Sequence, residues 1–379
     1  MGTLMEIAQH LKDVNKKVQL IYAFNGTGKT RLSREFKQLI APKADGSEGH
    51  DEAGEPKRSR NTILYYNAFT EDLFYWDNDL ELDAEPKLQI QSNSYTSWLV
   101  TLLRDLGQDG NIVRYFQRYA NDKLTPRFSE DLTAVTFSME RGDTERSGPI
   151  KISKGEESNF IWSVFYALLD QVVAVLNVAE PDDRETSEFD QLEYVFIDDP
   201  VSSLDENHLI ELAVDLASLI KSSPPDLKFI ITTHSPLFHN VLFNELKSLK
   251  KNKVLYMLEC DEDGTFALKG KDGDSNTSFA YHLHLKETIE QAIADNKVEK
   301  YHFTLLRNLY EKTASFLGYR QWSDLLPDDK QLYLSRIINF TSHSRLSDDA
   351  VAEPTPEEKM TVKFLLDHLK NHYGYWKEG

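Results

Sequence analysis

Cysteine and positive charge are both scarce in this chain of 379 residues. Its one cysteine, Cys260, excludes an internal disulfide and fits a reducing compartment, so we expect a cytoplasmic protein. The chain has 43 Lys and Arg against 62 Asp and Glu, which gives a formal net charge of −19. Because phosphate neutralisation drives non-specific nucleic-acid binding, this balance argues against such binding. A nucleic-acid substrate would need a local basic surface.

Long apolar runs are also few. We find no apolar stretch that approaches the length of a membrane span and no signal-peptide core near residue 1, so we expect no membrane partner. The length allows two or more domains. Polar residues at 269–277 predict a boundary between domains 1–270 and 271–379. A second polar run, at about 42–60, predicts a mobile loop.

A phosphate-binding loop is the most specific motif. Residues 24–30 read Phe-Asn-Gly-Thr-Gly-Lys-Thr and follow an apolar run that predicts a strand. Glycines let backbone N–H groups surround a phosphate, Lys29 supplies a charge and the Thr30 hydroxyl suits Mg²⁺. Ala23 stands where the first glycine of the pattern is expected. The residues expected to hold a nucleotide here are Asn25, Gly26, Thr27, Gly28, Lys29, Thr30 and Arg31.

Two further apolar runs end in polar groups that suit the same nucleotide. Residues 194–205 read Tyr-Val-Phe-Ile-Asp-Asp-Pro-Val-Ser-Ser-Leu-Asp, a buried strand that ends in Asp198 and Asp199. Asp198 is expected to hold Mg²⁺ through bound waters, and Asp199 to polarise the attacking water. The run 228–233 ends at His234, which is placed to sense a γ-phosphate. An ordinary strand-end histidine is the alternative.

The fourth motif is Ile-Ser-Lys-Gly-Glu-Glu at residues 152–157, ahead of a helical pattern. With the phosphate-binding loop, the double-acid strand and His234, it follows the order of the ABC, SMC and RecF class, which the chain resembles. The resemblance implies an α/β P-loop head with a signature lobe at about 88–175, too short for a long coiled coil. It also implies nucleotide-dependent dimerisation, in which the signature of one subunit closes over nucleotide in the other. The residues assigned by this resemblance are Ser153, Gly155, Glu156 and Asp205.

Helical patterns dominate after residue 280. Arg307 and Glu311 lie at i and i+4 and so project from one helical face, where an ordinary surface ion pair is the alternative. Arg336 and His343 are seven residues apart, a spacing that resembles the Arg-x(4–6)-His pattern of HEPN-type ribonucleases. Metal-independent RNA cleavage needs an acid–base pair and a cation. His343 and Glu311 suit the pair and Arg307 suits the cation, although spacing alone does not select them.

Essentially the whole chain resembles the bacterial anticodon nucleases of the PrrC type. The resemblance is carried by Leu-Leu-Arg-Asn-Leu-Tyr-Glu-Lys-Thr-Ala-Ser-Phe-Leu-Gly-Tyr at 305–319 and Ile-Ile-Asn-Phe-Thr-Ser-His-Ser at 337–344. It implies that Arg307, Glu311 and His343 are catalytic. It also places Asp274 in a segment that recognises the modified wobble base, although a turn before a helix explains that segment equally well.

The resemblance also implies substrate, cofactors and partners. Lysine tRNA would be cut at the wobble position to leave a 2′,3′-cyclic phosphate and a 5′-hydroxyl, with no metal in the cleavage step. GTP or ATP with Mg²⁺, and also thymidine triphosphate, would control the head of a homo-oligomer. A type I restriction–modification complex would keep the nuclease silent until phage infection. The competing hypothesis is a RecF- or SMC-like ATPase sensor or DNA-end-binding adaptor without nuclease activity.

Overall fold

The computed structural model describes residues 2–42, 62–67, 70, 72–77, 85–120, 122–141, 145–146, 148–200, 206–261, 264–270, 281–341 and 354–373. The chain divides into two compact units, Met1–Gly273 and Asp274–Gly379. The first is mixed α/β and the second is helical, so the predicted fold class is confirmed. Most of the predicted mobile loop and three predicted site residues lie outside the described residues; the three are Asp205, Asp274 and His343.

The first unit contains both strands and helices among its described residues. Its helices are α1 (Leu4–Asp13), α2 (Lys29–Ile40), α3 (Ser94–Asp105), α4 (Asp109–Tyr119), α5 (Lys154–Leu176), α6 (Glu206–Ser222) and α7 (Pro236–Glu245). Its strands are β1 (Val18–Tyr22), β2 (Ile63–Tyr66), β3 (Phe74–Asp77), β4 (Lys87–Ile90), β5 (Leu124–Phe128), β6 (Ala134–Arg141), β7 (Glu145–Arg146), β8 (Tyr194–Asp198), β9 (Lys228–Thr233), β10 (Lys253–Cys260) and β11 (Phe266–Gly270). The second unit contains α8 (Tyr281–Ala294), α9 (Lys300–Leu317), α10 (Lys330–Thr341) and α11 (Pro356–His372).

The main sheet has the strand order β11-β10-β1-β9-β8-β2. Strands β10, β1, β9, β8 and β2 run parallel, and β11 is antiparallel at one edge. Because neighbouring parallel strands end on the same side, the segments after β1, β8 and β9 meet at one edge of the sheet. Those segments carry the phosphate-binding loop, the two aspartates and His234.

Apolar side chains cover both faces of this sheet, as expected for buried parallel strands. Alternate residues of β8 belong to different cores: Tyr194 and Phe196 pack with α1 and α2, and Val195 and Ile197 pack with α5 and α6. The Phe36 ring of α2 lies 5.6 Å from the Phe196 ring. The two layers of helices hold the strand ends in place.

A second, antiparallel sheet has the order β3-β4-β6-β5, with β7 paired to β6. The start of the predicted signature lobe contains the strand Lys87–Ile90, which pairs with β3 and β6. Four residues of alternating polarity are too short to separate a strand from helical spacing. The sheet was therefore missed in the predicted signature lobe.

Helix α5 corrects the expectation that no apolar stretch approaches the length of a membrane span. It is 23 residues long and apolar enough to cross a membrane by length and composition, but 78% of its most apolar window is buried inside the protein. Its Trp162 and Phe165 rings pack on Tyr66 at centroid distances of 5.2 and 4.9 Å. Helix α5 is the central core helix of this unit.

The second unit forms around its own apolar core. Helix α9 contributes Phe303, Leu306 and Leu309, which pack with residues of α8 and α11. The buried Tyr310 hydroxyl donates a hydrogen bond to the Leu365 carbonyl at 2.9 Å. With its inner face in this core, α9 leaves Arg307 and Glu311 half-buried on the outer face.

Candidate nucleotide and nuclease sites

The phosphate-binding loop has the backbone geometry that its glycines predict. Gly26 and Gly28 adopt φ angles of +81° and +96°, which strain any residue with a side chain. A Cβ atom at Gly28 would also lie 3.2 Å from the Phe266 ring. Helix α2 starts directly after Gly28, and Gly28 has no side chain to cap the first-turn N–H groups. These groups and the helix dipole favour an anion at this position.

Lys29 is buried and held over the loop. Its Nζ donates hydrogen bonds to the carbonyl oxygens of Ala23 and Phe24 and to Oδ1 of Asn25, each at 3.2 Å. It also lies 3.4 Å from Oδ2 of Asp199. The ammonium group therefore sits between the loop and the end of β8, where it can bind an anionic phosphate.

Asp198 lies at the tip of β8 and is 1% exposed. Its carboxylate accepts hydrogen bonds from the hydroxyls of Thr30 at 2.6 Å and Thr232 at 2.5 Å. Burial raises the pKa of Asp198 above its ordinary value, and the charge of Asp199 acts in the same direction. No local motif in the sequence points to Thr232, but the pairing of the two predicted strands β8 and β9 places it opposite Asp198.

Asp199 has a different environment although it is the next residue. Its φ of +53° turns the chain sharply at the strand end. Its carboxylate accepts a hydrogen bond from the His234 N–H at 3.2 Å and lies 2.7 Å from His234 Nδ1. Burial pushes the pKa of Asp199 upward, but the hydrogen bond from His234 and the charge of Lys29 outweigh it, so this pKa lies below its ordinary value.

The two strand ends and the loop thus form one connected group of Lys29, Thr30, Asp198, Asp199 and His234. Its donors and acceptors are an ammonium group, backbone N–H groups, a hydroxyl and two carboxylates. Hydroxyl and carboxylate oxygens suit Mg²⁺, and the ammonium and N–H groups suit phosphates. The residues present therefore fit a magnesium–nucleotide complex.

The signature residues begin the core helix α5. Ser153 is its N-cap: Ser153 Oγ accepts from the Glu156 N–H at 3.3 Å, and Glu156 Oε2 accepts from the Ser153 N–H at 2.7 Å. Gly155 lies in the first turn. Glu157, which is buried, accepts from Trp76 Nε1 at 2.9 Å and fixes this helix start to the antiparallel sheet. Glu157 was not among the residues predicted for the site.

In the second unit, the structure brings Arg307 and Glu311 together. Arg307 Nε donates to Glu311 Oε1 at 2.8 Å. The Arg307 guanidinium lies 5.7 Å from the centre of the Trp322 ring, and this ring packs edge-on to Tyr310 at 6.3 Å. Trp322 thus orients the arginine, and no periodic pattern in the sequence points to it.

The first unit has a mainly parallel sheet with a phosphate-binding loop directly after its strand β1, which is the arrangement of a P-loop nucleotide-binding fold, and a helical domain follows it. The chain belongs to the anticodon nucleases. A protein of Escherichia coli named anticodon nuclease is 74% identical to this chain over an alignment of 392 positions, gaps included. The alignment covers 99% of this chain and 98% of that protein. No family model matches the chain.

Solved structures of ATPase heads resemble the chain more distantly. The SMC head domain from Thermotoga maritima has 12% identity and a TM-score of 0.31, covering 68% of this chain and 91% of that chain. A dimeric bacterial ABC transporter cassette has 11% identity and a TM-score of 0.33, covering 68% and 87%.

Proposed function

We propose that this protein is a nucleotide-regulated endoribonuclease that cuts tRNA at the anticodon. The observation that carries the proposal is the Arg307–Glu311 pair on α9, in a chain that is 74% identical along its length to an anticodon nuclease. The connected polar group in the first unit supports the regulation by nucleotide. We assign Asp199 and His234 to nucleotide hydrolysis and Arg307, Glu311 and His343 to RNA cleavage.

Cleavage requires that a ribose 2′-oxygen attack the adjacent phosphorus while the bond from phosphorus to the 5′-oxygen breaks. Glu311 and His343 remove the proton of the 2′-hydroxyl and protonate the 5′-oxygen that leaves. Arg307 stabilises the negative charge that gathers on the phosphate. Trp322 and Glu311 fix the guanidinium before substrate arrives, which limits the reorganisation that the reaction needs. The products are a 2′,3′-cyclic phosphate and a 5′-hydroxyl, with no metal in this step.

We assign lysine tRNA as the substrate, cut at the wobble position. Asp274 is our candidate for recognition of the modified wobble base. Its segment equally suits a turn before a helix, so the assignment depends on a direct test. An Asp274→Asn variant that cuts lysine tRNA as well as wild type would remove Asp274 from the site.

Nucleotide binding to the head controls the nuclease in this proposal. Thr30 and Asp198 hold Mg²⁺, which neutralises phosphate charge. Asp199 orients the attacking water and His234 senses the γ-phosphate. Ser153, Gly155 and Glu156 of one copy, with Asp205, complete the nucleotide site of another in a head dimer. GTP or ATP serves as substrate, and thymidine triphosphate is a further ligand.

A type I restriction–modification complex is the silencing partner in anti-phage defence in the cytoplasm.

The test compares purified wild type with a Glu311→Gln variant on lysine tRNA, with GTP, ATP or thymidine triphosphate and Mg²⁺. We expect wild type to cut beside the wobble base and Glu311→Gln to be about 10²–10⁴-fold slower. EDTA added after nucleotide binding should leave the RNA step intact. Glu287→Gln, a change at an exposed glutamate of α8 in the same unit, is the matched control and should cut normally. Intact tRNA with wild type under every nucleotide would favour the adaptor hypothesis.

A further inference from the structure

The end of α9 exposes an unusual run of side chains. Residues 315–321, here called the α9 tip, are all exposed. Phe316 is 90% exposed, and Leu317 and Tyr319 are also exposed large apolar residues. Single exposed apolar residues are common on proteins, but these three lie within four positions, and clustered exposed apolar residues are a feature of binding surfaces.

The backbone of the α9 tip is well fixed. Gly318 has a φ of +78° and ends the helix in the left-handed conformation. The Tyr319 N–H donates to the Ala314 carbonyl at 2.9 Å, and the Tyr319 ring packs edge-on to Tyr373 at 6.4 Å. Phe316 is therefore presented by an ordered helix end, which lowers the entropic cost of binding.

Two cations flank this patch, although the protein is strongly acidic. Lys312 lies one helical turn before Phe316, and Arg320 follows Tyr319; both are exposed. Aromatic side chains between cations are the usual features of a surface that binds single-stranded nucleic acid.

The chain path links the α9 tip to the candidate nuclease residues. The tip leads directly into Trp322, the ring that packs on Arg307. Along the axis of α9, Phe316 lies about 13 Å from Arg307, at about 1.5 Å for each residue. Phe316 projects from the opposite side of the helix, so RNA would pass around the helix end by way of Tyr319 and Arg320.

We propose that the α9 tip binds an unpaired base of the RNA substrate, with the base stacked on Phe316 and the flanking phosphates bound by Lys312 and Arg320. Sequence-specific RNA recognition commonly stacks unpaired loop bases on aromatic side chains. A contact between two copies of this chain is the competing use of the patch. The flanking cations favour RNA, because like charges on two copies would repel each other. The proposal rests on the proposed function for the identity of the RNA.

The test measures binding of the lysine tRNA anticodon stem-loop with a 2′-deoxy nucleotide at the cleavage position, so that binding is separate from cutting. We expect Phe316→Ala to weaken binding by about 5- to 150-fold, the range for one lost base–aromatic stack. Phe316→Trp should retain binding. A 2-aminopurine at the stacked position should lose fluorescence on binding to wild type and not to Phe316→Ala. Phe364→Ala is the control, because Phe364 is 47% exposed in the same unit and stacks on Tyr333 instead.

Unchanged RNA affinity in Phe316→Ala would overturn the proposal. Loss of self-association in that variant, with RNA affinity unchanged, would assign the tip to a contact between copies and would also overturn it. If wild type binds the stem-loop through Phe316 but cuts no tRNA, the inference stands and the proposed function fails. If wild type cuts tRNA and Phe316→Ala has the same KM, the function stands and the inference fails.

Discussion

Without nucleotide, the Asp198→Asn variant should be more stable than wild type. With nucleotide, the same variant should be less stable than wild type. Asparagine keeps the shape of the side chain: its oxygen can accept from Thr232 and its NH₂ group can donate to the Thr30 hydroxyl. Loss of charge assistance in these two hydrogen bonds costs about 1 kcal/mol each. Removal of a buried, unneutralised charge gains several kcal/mol. The net gain is about 1–3 kcal/mol, and each kcal/mol raises Tm by about 2–4 °C.

With magnesium and nucleotide the order should reverse. Wild type gains about 4.1 kcal/mol when ligand is at about 1,000 times its Kd, and Asp198→Asn loses this gain because the ion loses its carboxylate. The assay is thermal unfolding with and without magnesium and GTP. A variant that unfolds at a lower temperature than wild type in the absence of nucleotide would refute the reasoning, because the ionised Asp198 would then be stabilising in the free protein.

The neighbouring Asp199→Asn variant is a control, because its stability should fall where that of Asp198→Asn should rise. It removes the charge that binds Lys29 and His234, and asparagine tolerates the φ of +53°. We expect a loss of about 1–3 kcal/mol at pH 7. The stability from Asp199, whose pKa is lowered, is present at neutral pH and lost as pH falls through that pKa. Asp198 has a raised pKa, so its unfavourable contribution disappears as pH falls through the raised value.

Three more changes test other parts of the account. Gly28→Ala should cost about 1–2 kcal/mol of stability because of the φ of +96°, and nucleotide should no longer raise Tm; an unchanged nucleotide shift would contradict this. Trp322→Leu should lower the kcat for RNA cleavage more than it raises KM, since it frees the Arg307 guanidinium; a pure KM effect would argue against orientation. Asp215→Ala should lower the free energy of unfolding in urea by about 1–3 kcal/mol. In wild type the Tyr119 hydroxyl donates a hydrogen bond to the Asp215 carboxylate at 2.8 Å, and the variant lacks this acceptor. An unchanged urea midpoint would contradict this prediction.

The geometry of the candidate nucleotide site was predictable because its residues are adjacent to strong local signals. Glycines, a lysine and a hydroxyl follow one apolar strand, and two aspartates follow another. Because neighbouring parallel strands end at the same edge of a sheet, the sequence alone predicts that Lys29 lies close to Asp199. Thr232 was missed because its role depends on strand register, which pairs it with Asp198.

Other features of the structure depend on contacts that no local sequence pattern predicts. The antiparallel sheet contains strands as short as Lys87–Ile90, whose alternation is weaker than the helical pattern of the residues that follow. Helix α5 is apolar on nearly all sides because layers of the head surround it, and composition alone does not separate such a helix from a membrane span. Trp322 meets Arg307 only through the fold of the second unit.

In the function that we propose, this chain cuts tRNA at the anticodon with Arg307, Glu311 and His343. The most direct measurement maps the 5′-hydroxyl ends of total tRNA from cells that express wild type or His343→Ala. We expect new ends beside the wobble base of lysine tRNA in wild type and none in the variant. Equal ends in both samples would remove His343 from catalysis. No ends in wild type, with GTP present and no silencing complex in the cell, would contradict the nuclease assignment itself.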